Sequence, residues 1–150
     1  MNFKNFFLKY QNIFFYKILE NQLDNYKTVL DVGCGHSSPL GKIRNKFKSE
    51  GIDIHKKTLE TSRKNKTHDK YTVGDIKKLS KIYKNNSFDA CVAIDVIEHF
   101  SKRDALKLIK DMEAIAQKKV ILLTPNGFYE QHDYDGNPHQ VINLVGKKGI

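Results

Sequence analysis

The run Val29-Leu30-Asp31-Val32-Gly33-Cys34-Gly35-His36 is an apolar strand that carries an acid near its end and passes into paired glycines. Strands buried on both faces read as nearly continuous apolar runs, which is what the interior of a parallel sheet requires. Glycines at the exit allow a tight turn and let another group approach the backbone closely. Downstream, short apolar runs alternate with charged, helix-period segments, the pattern of successive βα units. The expected strands are residues 28–32, 51–54, 71–73, 88–94 and 119–123. Helices are expected at 39–47, 56–66 and 103–116, the last with Leu106, Ile109 and Ile115 on one face, and a short turn at 76–83.

A chain of 150 residues makes one domain, able to bury roughly two-thirds of the surface its unfolded form exposes. Residues 28–124 form the core and 125–150 a polar loop and tail. Residues 1–25 make an amphipathic helix, because Phe3, Phe6, Phe7, Tyr10, Ile13 and Phe14 recur at helical steps and stack on one face expected to pack on the body. A hydrophobic share of 39% and a charged share of 29% suit a soluble globular protein. No apolar run approaches the ~20 residues that cross a bilayer, so membrane insertion is not expected. Lys4, Lys9 and Lys17 break the aromatic segment, which argues against a secretory leader. Cys34 and Cys91 give neither a disulfide framework nor metal-ligand spacing, so no metal is expected and a reducing cytoplasm is the simplest location. The net charge of +9 raises a nucleic-acid partner. Lysine is spread along the chain without a dense basic run, which disfavours that reading.

Chemistry concentrates at the strand ends. Asp31 closes the first strand, Asp53 the second, Asp75 follows the third, and Asp95 follows the fourth within Asp95-Val96-Ile97-Glu98-His99-Phe100. In an open parallel sheet those ends face one crevice, where ligands bind in this architecture. Asp53 stands about twenty residues beyond Asp31, a spacing at which a carboxylate can accept hydrogen bonds from both hydroxyls of a ribose.

The stretch from Thr28 to Asn126 resembles the class I S-adenosylmethionine-dependent methyltransferases. Its glycine turn is similar to their first motif and residues 88–100 to their fourth. The resemblance implies a Rossmann-like, doubly wound, mainly parallel α/β sheet with helices on both faces. It implies that S-adenosylmethionine is the cofactor, that Gly33, Cys34 and Gly35 lie against its methionine part with Asp31 nearby, and that Asp53 holds the ribose. Ile54 would pack on the adenine, Asp75 and Ile76 would approach its amino edge, and the region around Asp95 would flank the methionine part. Glu98 and His99 would begin the next helix beside the reaction cavity. A nicotinamide site normally has a third glycine in Gly-x-Gly-x-x-Gly so that its helix can approach a pyrophosphate. Ser38 stands in that place, which favours a cofactor without pyrophosphate.

On this reading the chain transfers a methyl group to a small-molecule acceptor. The alternatives are a cofactor-binding remnant without turnover and a nucleotide-binding oxidoreductase. A general base is needed where the acceptor must lose a proton, and His99, His132 and His139 are the candidates. The segment Thr124-Pro125-Asn126-Gly127, with residues 134–140, resembles an acceptor-side loop of small-molecule and sugar-modifying members. After residue 123 too few residues remain for the helix and antiparallel strand pair that usually complete this family's sheet, so the chain looks truncated. The last strand then forms a sheet edge, which residues 140–145, the first helix or a second copy in a homodimer would cover.

Overall fold

A computed structural model of the chain describes residues 3–43 and 46–124, with side chains from residue 13 onward. Helix α1 (Phe3–Leu23) leads into β1 (Thr28–Val32), followed by β2 (Lys48–Asp53), α2 (Lys56–Lys64), β3 (Lys70–Val73), α3 (Leu79–Ile82), β4 (Phe88–Ile94), α4 (Lys102–Ile115) and β5 (Ala116–Leu123). The five strands form one parallel sheet in the order β3-β2-β1-β4-β5. The chain therefore winds outward from β1 to β3, crosses back, and winds outward again, reversing between β1 and β4.

Alternation along the central strands divides the core into two layers. Leu30 and Val32 of β1 and Cys91 and Ala93 of β4 face a layer closed by Leu79 of α3 and by Leu108, Met112 and Ile115 of α4. Val29, Ala90 and Val92 face the opposite layer, closed by Leu19 and Leu23 of α1 with Leu40, Ile43 and Phe47. Helices thus cover both faces, as the doubly wound reading requires.

Several boundaries differ from expectation for local reasons. In place of the start of the expected helix over 39–47, the described residues show a 3₁₀ turn, Pro39–Lys42, capped by Ser38 Oγ, which accepts the Leu40 amide hydrogen. Ile43 N returns to Leu40 O at 3.0 Å and ends the turn, so Ile43 and Phe47 serve as core plugs. β2 begins three residues early because its polar start is satisfied within the sheet layer: Glu50 accepts hydrogen bonds from Thr72 Oγ1 and Tyr83 Oη, each at 2.6 Å, and pairs with Lys70 Nζ at 2.9 Å.

Parts of the faces expected for the two longer helices are exposed, although Ile115 of α4 is buried as expected. In α1 the side chains of Phe3, Phe6, Phe7 and Tyr10 lie outside the described residues, while Ile13 and Phe14 are 52% and 69% exposed. Among the described side chains of α1 the ones that dock include Phe15, Leu19 and Leu23, an i, i+4, i+8 row nearer the end of the helix. In α4, Leu106 is exposed and Leu108, Met112 and Ile115 make the contact face. α4 starts on Ser101, whose Oγ accepts the Asp104 amide hydrogen, and ends where Ala116 opens β5 with no linker. β5 carries one extra residue opposite the Phe88–Ala90 step, and there Lys118 reaches Asp89. No described helix is long and apolar enough to cross a membrane.

Candidate functional site

Because all five strands are parallel, their carboxyl ends share one rim, and the strand order reverses there between β1 and β4, the switch point at which ligands bind in open α/β sheets. The glycine turn forms its centre. Gly33 and Gly35 have φ of +70° and +59°, the left-handed region that costs other residues a Cβ clash. Gly33 also crosses the segment after β4 so closely that a Cβ would lie 2.8 Å from Val96 Cγ2. A Cβ on Gly35 would meet nothing within 4 Å. The turn is therefore packed hard behind Gly33 and open beside Gly35.

Its amides are held from within. Gly33 N and Cys34 N both donate to Ile52 O, at 2.8 and 3.2 Å, and Gly35 N donates to Asp53 Oδ2 at 3.0 Å. Asp53 Oδ1 accepts from His55 N at 2.9 Å. Each carboxylate oxygen offers about two lone-pair sites, so the half-buried Asp53 braces the turn and still has acceptor capacity toward the crevice. Ile54 beside it is 36% exposed, an apolar surface at the rim. Cys34 turns its thiol inward over Gly51, where burial pushes it well above the usual thiol range.

Asp75 caps the 3₁₀ turn Ile76–Lys78, its Oδ1 accepting the Lys77 amide hydrogen at 3.0 Å. Ile76 enters the core beside Gly33 and Val96. Asp95 has φ of +54°, a left-handed conformation at the end of β4 held by its amide donating to Leu123 O at 2.9 Å. Its carboxyl is pushed above the ordinary range by desolvation, with His99 opposing. Glu98 and His99 follow in the 3₁₀ turn Ile97–His99. Glu98 Oε2 accepts from Thr124 Oγ1 at 3.4 Å, while Glu98 Oε1 and His99 Nδ1 are buried atoms without a hydrogen-bond partner. Desolvation pushes the Glu98 carboxyl up as well, against the pull of its own backbone amide and His99. A buried polar atom without a partner costs about 1–3 kcal/mol, so two on adjacent residues mark a place where polar groups are left for something else to satisfy.

Asp31 lies deeper than the other acids. It is 2% exposed, and its Oδ2 accepts from Ser38 Oγ and is 2.9 Å from Nε2 of the fully buried His68. Sequence reasoning passed over His68, which looked like part of a polar loop. The signal available was Asp31 itself, since an acid inside an apolar strand needs a buried partner. Asp53, Asp95 and the open side of Gly35 thus gather on the rim, Asp75 and Ile76 anchor the adjoining turn, and Asp31 forms the floor. His132 and His139 lie outside the described residues, as do residues 134–145. Among the described residues no group of three or more His, Cys, Asp and Glu side chains is arranged to hold a metal ion.

A family model for the methyltransferase domain matches residues 30–128, more than half of the chain. Solved structures with the same fold include the PH0226 protein from Pyrococcus horikoshii OT3 (24% identity, TM-score 0.64, covering 75% of this chain and 53% of that one). An S-adenosylmethionine-dependent methyltransferase from Archaeoglobus fulgidus has 18% identity and a TM-score of 0.59, covering 74% of this chain and 53% of that one. Magnesium protoporphyrin IX methyltransferase from Synechocystis PCC 6803, solved with bound S-adenosylmethionine, has 18% identity and a TM-score of 0.59, covering 75% and 55%. The chain spans about half the length of these proteins. A comparison with curated protein sequences gives no match. The motif order, the doubly wound parallel sheet and the matched domain agree: this chain belongs to the methyltransferase domain family, of the class I type its glycine turn and strand-end acids resemble.

Proposed function

We propose that the chain binds S-adenosylmethionine at the carboxyl rim of β1, β2 and β4 and transfers its methyl group to a small-molecule acceptor. The observation that carries this reading is the half-buried Asp53 at the end of β2, whose Oδ2 accepts the amide hydrogen of Gly35, a turn residue with open space on its Cβ side. A flat ligand with a vicinal diol fits there, its hydroxyls donating to Asp53 and its ring resting on Ile54. Asp75 and Ile76 would border the far edge of that ring, and Asp31, Gly33, Cys34, Gly35 and Asp95 would surround the amino-acid end. When bound, the cofactor supplies an electrophilic methyl group on a sulfonium centre. The protein's share is alignment, which is worth about 7–11 kcal/mol in favourable systems.

The acceptor would lie against Glu98 and His99. On this reading His99 Nδ1, which has no hydrogen-bond partner, would take a proton from an acceptor hydroxyl, and the adjoining Glu98 carboxylate would stabilise the resulting imidazolium. The outer edge of β5 has no neighbouring strand among the described residues, and a second copy would cover it. Sedimentation velocity checks that part: a monomer at all concentrations removes it.

Calorimetry tests the cofactor. S-adenosylmethionine and its demethylated product, S-adenosylhomocysteine, are expected to bind and NAD is not. Binding of NAD alone overturns the proposal, and binding without methyl transfer to any acceptor in a broad panel reduces the chain to a cofactor-binding remnant.

A further inference from the structure

The Asp31–His68 pair continues into a chain of buried polar groups that leads away from the rim. Thr67 Oγ1 lies 2.9 Å from His68 Nδ1 and bonds in turn to Ser62 Oγ of α2. The His68 backbone amide donates to Tyr71 Oη at 2.8 Å, and that hydroxyl donates to Ser62 O at 3.1 Å. Space for the imidazole exists because residue 51 is glycine: a Cβ there would lie 2.9 Å from His68 Nδ1 and 2.7 Å from Cys34 Sγ. At the other end, Ser38 Oγ serves two partners, donating to Asp31 Oδ2 and accepting the Leu40 amide hydrogen at 3.1 Å. One carboxylate oxygen thus receives both the imidazole and the hydroxyl that closes the loop after the glycine turn.

We propose that His68 is a positioning residue for cofactor binding: through Asp31 and Ser38 it fixes the loop of residues 33–40 in the shape that receives the cofactor. The proposal rests on the cofactor reading above. A buried carboxylate that loses a donor leans harder on those that remain, and the other donor it has here, Ser38 Oγ, belongs to the loop. Without the imidazole, Asp31 and Ser38 rearrange and the cradle shifts while the sheet beneath it persists.

The test compares His68→Gln, whose amide nitrogen can replace Nε2 as donor to Asp31, with His68→Leu, which cannot donate. Affinity of the full chain for S-adenosylhomocysteine is measured by calorimetry after circular dichroism and urea melts establish the folded fraction. His68→Leu is expected to bind at least about tenfold more weakly per folded molecule, the ratio produced by losing one hydrogen bond to a charged group, with His68→Gln restoring most of the loss. Folded His68→Leu within about twofold of wild type overturns the proposal. So does a folded His68→Gln as weak as His68→Leu, because the effect would not then run through the bond to Asp31.

Should His68→Leu fail to fold, ring ¹⁵N spectra of the wild type answer the same question, with the His68 signals assigned by their absence in His68→Gln. Those signals are expected to shift when S-adenosylhomocysteine is added, and unchanged signals in a protein that binds it overturn the proposal. A wild type that binds no S-adenosylhomocysteine removes the cofactor reading itself, and this inference with it.

Discussion

Gly33 and Val96 meet so closely that a methyl group on the glycine would lie 2.8 Å from Val96 Cγ2, which locks the turn after β1 against the segment after β4. Gly33→Ala adds that overlap to a left-handed backbone and is expected to cost about 3 kcal/mol of stability. Gly35→Ala meets no neighbour and bears the backbone strain alone, about 1 kcal/mol. Affinity for S-adenosylhomocysteine should fall in Gly35→Ala by more than its urea-melt midpoint suggests, because the new methyl projects into the open side of the turn. A Gly35→Ala protein of undiminished affinity would mean that the cofactor lies elsewhere.

Asp53 divides its carboxylate between the turn and the crevice. Asp53→Ala is expected to weaken binding of S-adenosylhomocysteine at least about tenfold, and Asp53→Asn by less because one carbonyl acceptor survives. Isothermal titration on folded variants decides this, and equal affinities across wild type, Asn and Ala would remove the ribose role.

His99→Asn separates chemistry from binding. If His99 takes the acceptor proton, kcat should fall about 10²-fold or more while the dissociation constant for S-adenosylhomocysteine stays within about twofold. A parallel loss of cofactor affinity would place His99 in the cofactor cradle instead.

At the opposite rim, Asp89 makes the fold sensitive to acid. Its Oδ1 pairs with Lys118 Nζ at 2.8 Å, and its Oδ2 accepts the amide hydrogens of Lys27 and Thr28 at 2.8 and 3.0 Å. The hydrogen bond from Lys118, aided by the two amides, lowers its carboxyl from 3.8 to about 2 despite desolvation. Asp89 therefore contributes stability that is complete above its unfolded value and is lost as pH falls from about 4 to about 2. Asp89→Asn should cost about 2 kcal/mol at pH 7, and the gap from wild type should close in urea melts taken across that acid range. A gap independent of pH would mean that the carboxylate's charge contributes nothing.

Thiol chemistry reports on the space over Gly51. Burial pushes the Cys91 thiol up to about 12 and Cys34 higher, so neither should react with a disulfide reagent near pH 8 in the folded protein. Gly51→Ala must displace Cys34 Sγ or the His68 ring, and is expected to lower stability by about 1–3 kcal/mol and expose one reactive thiol. A stable, unreactive Gly51→Ala would show that the two groups relax without cost.

The parallel sheet and its rim of acids were legible because each depends on local pattern: continuous apolar runs for strands buried on both faces, and acids where those runs stop. Residues 39–43 misled because helical spacing says nothing of Ser38, whose hydroxyl caps the 3₁₀ turn Pro39–Lys42 and ties it to Asp31. The early start of β5 was hidden for a similar reason. Gln117 and Lys118 fall between the helix expected at 103–116 and the strand expected at 119–123, yet they sit at a bulge where Lys118 pairs with a residue 29 positions earlier. His68 lay furthest from sequence reasoning, since its role depends on Asp31, 37 residues away, and on the missing side chain of Gly51.

Every strand in this sheet points the same way, so the molecule has two unlike ends. Asp89, Lys118 and Thr28 knit the starting ends of β1, β4 and β5 together, whereas the glycine turn, Asp53 and Asp95 occupy the finishing ends. Mutational drift at the first end would change how long each molecule stays folded and leave its ligand preference alone. Drift at the second, away from the tightly packed Gly33, would act on the rim proposed to hold the cofactor, so selection for durability and selection for specificity can act on largely separate sets of positions.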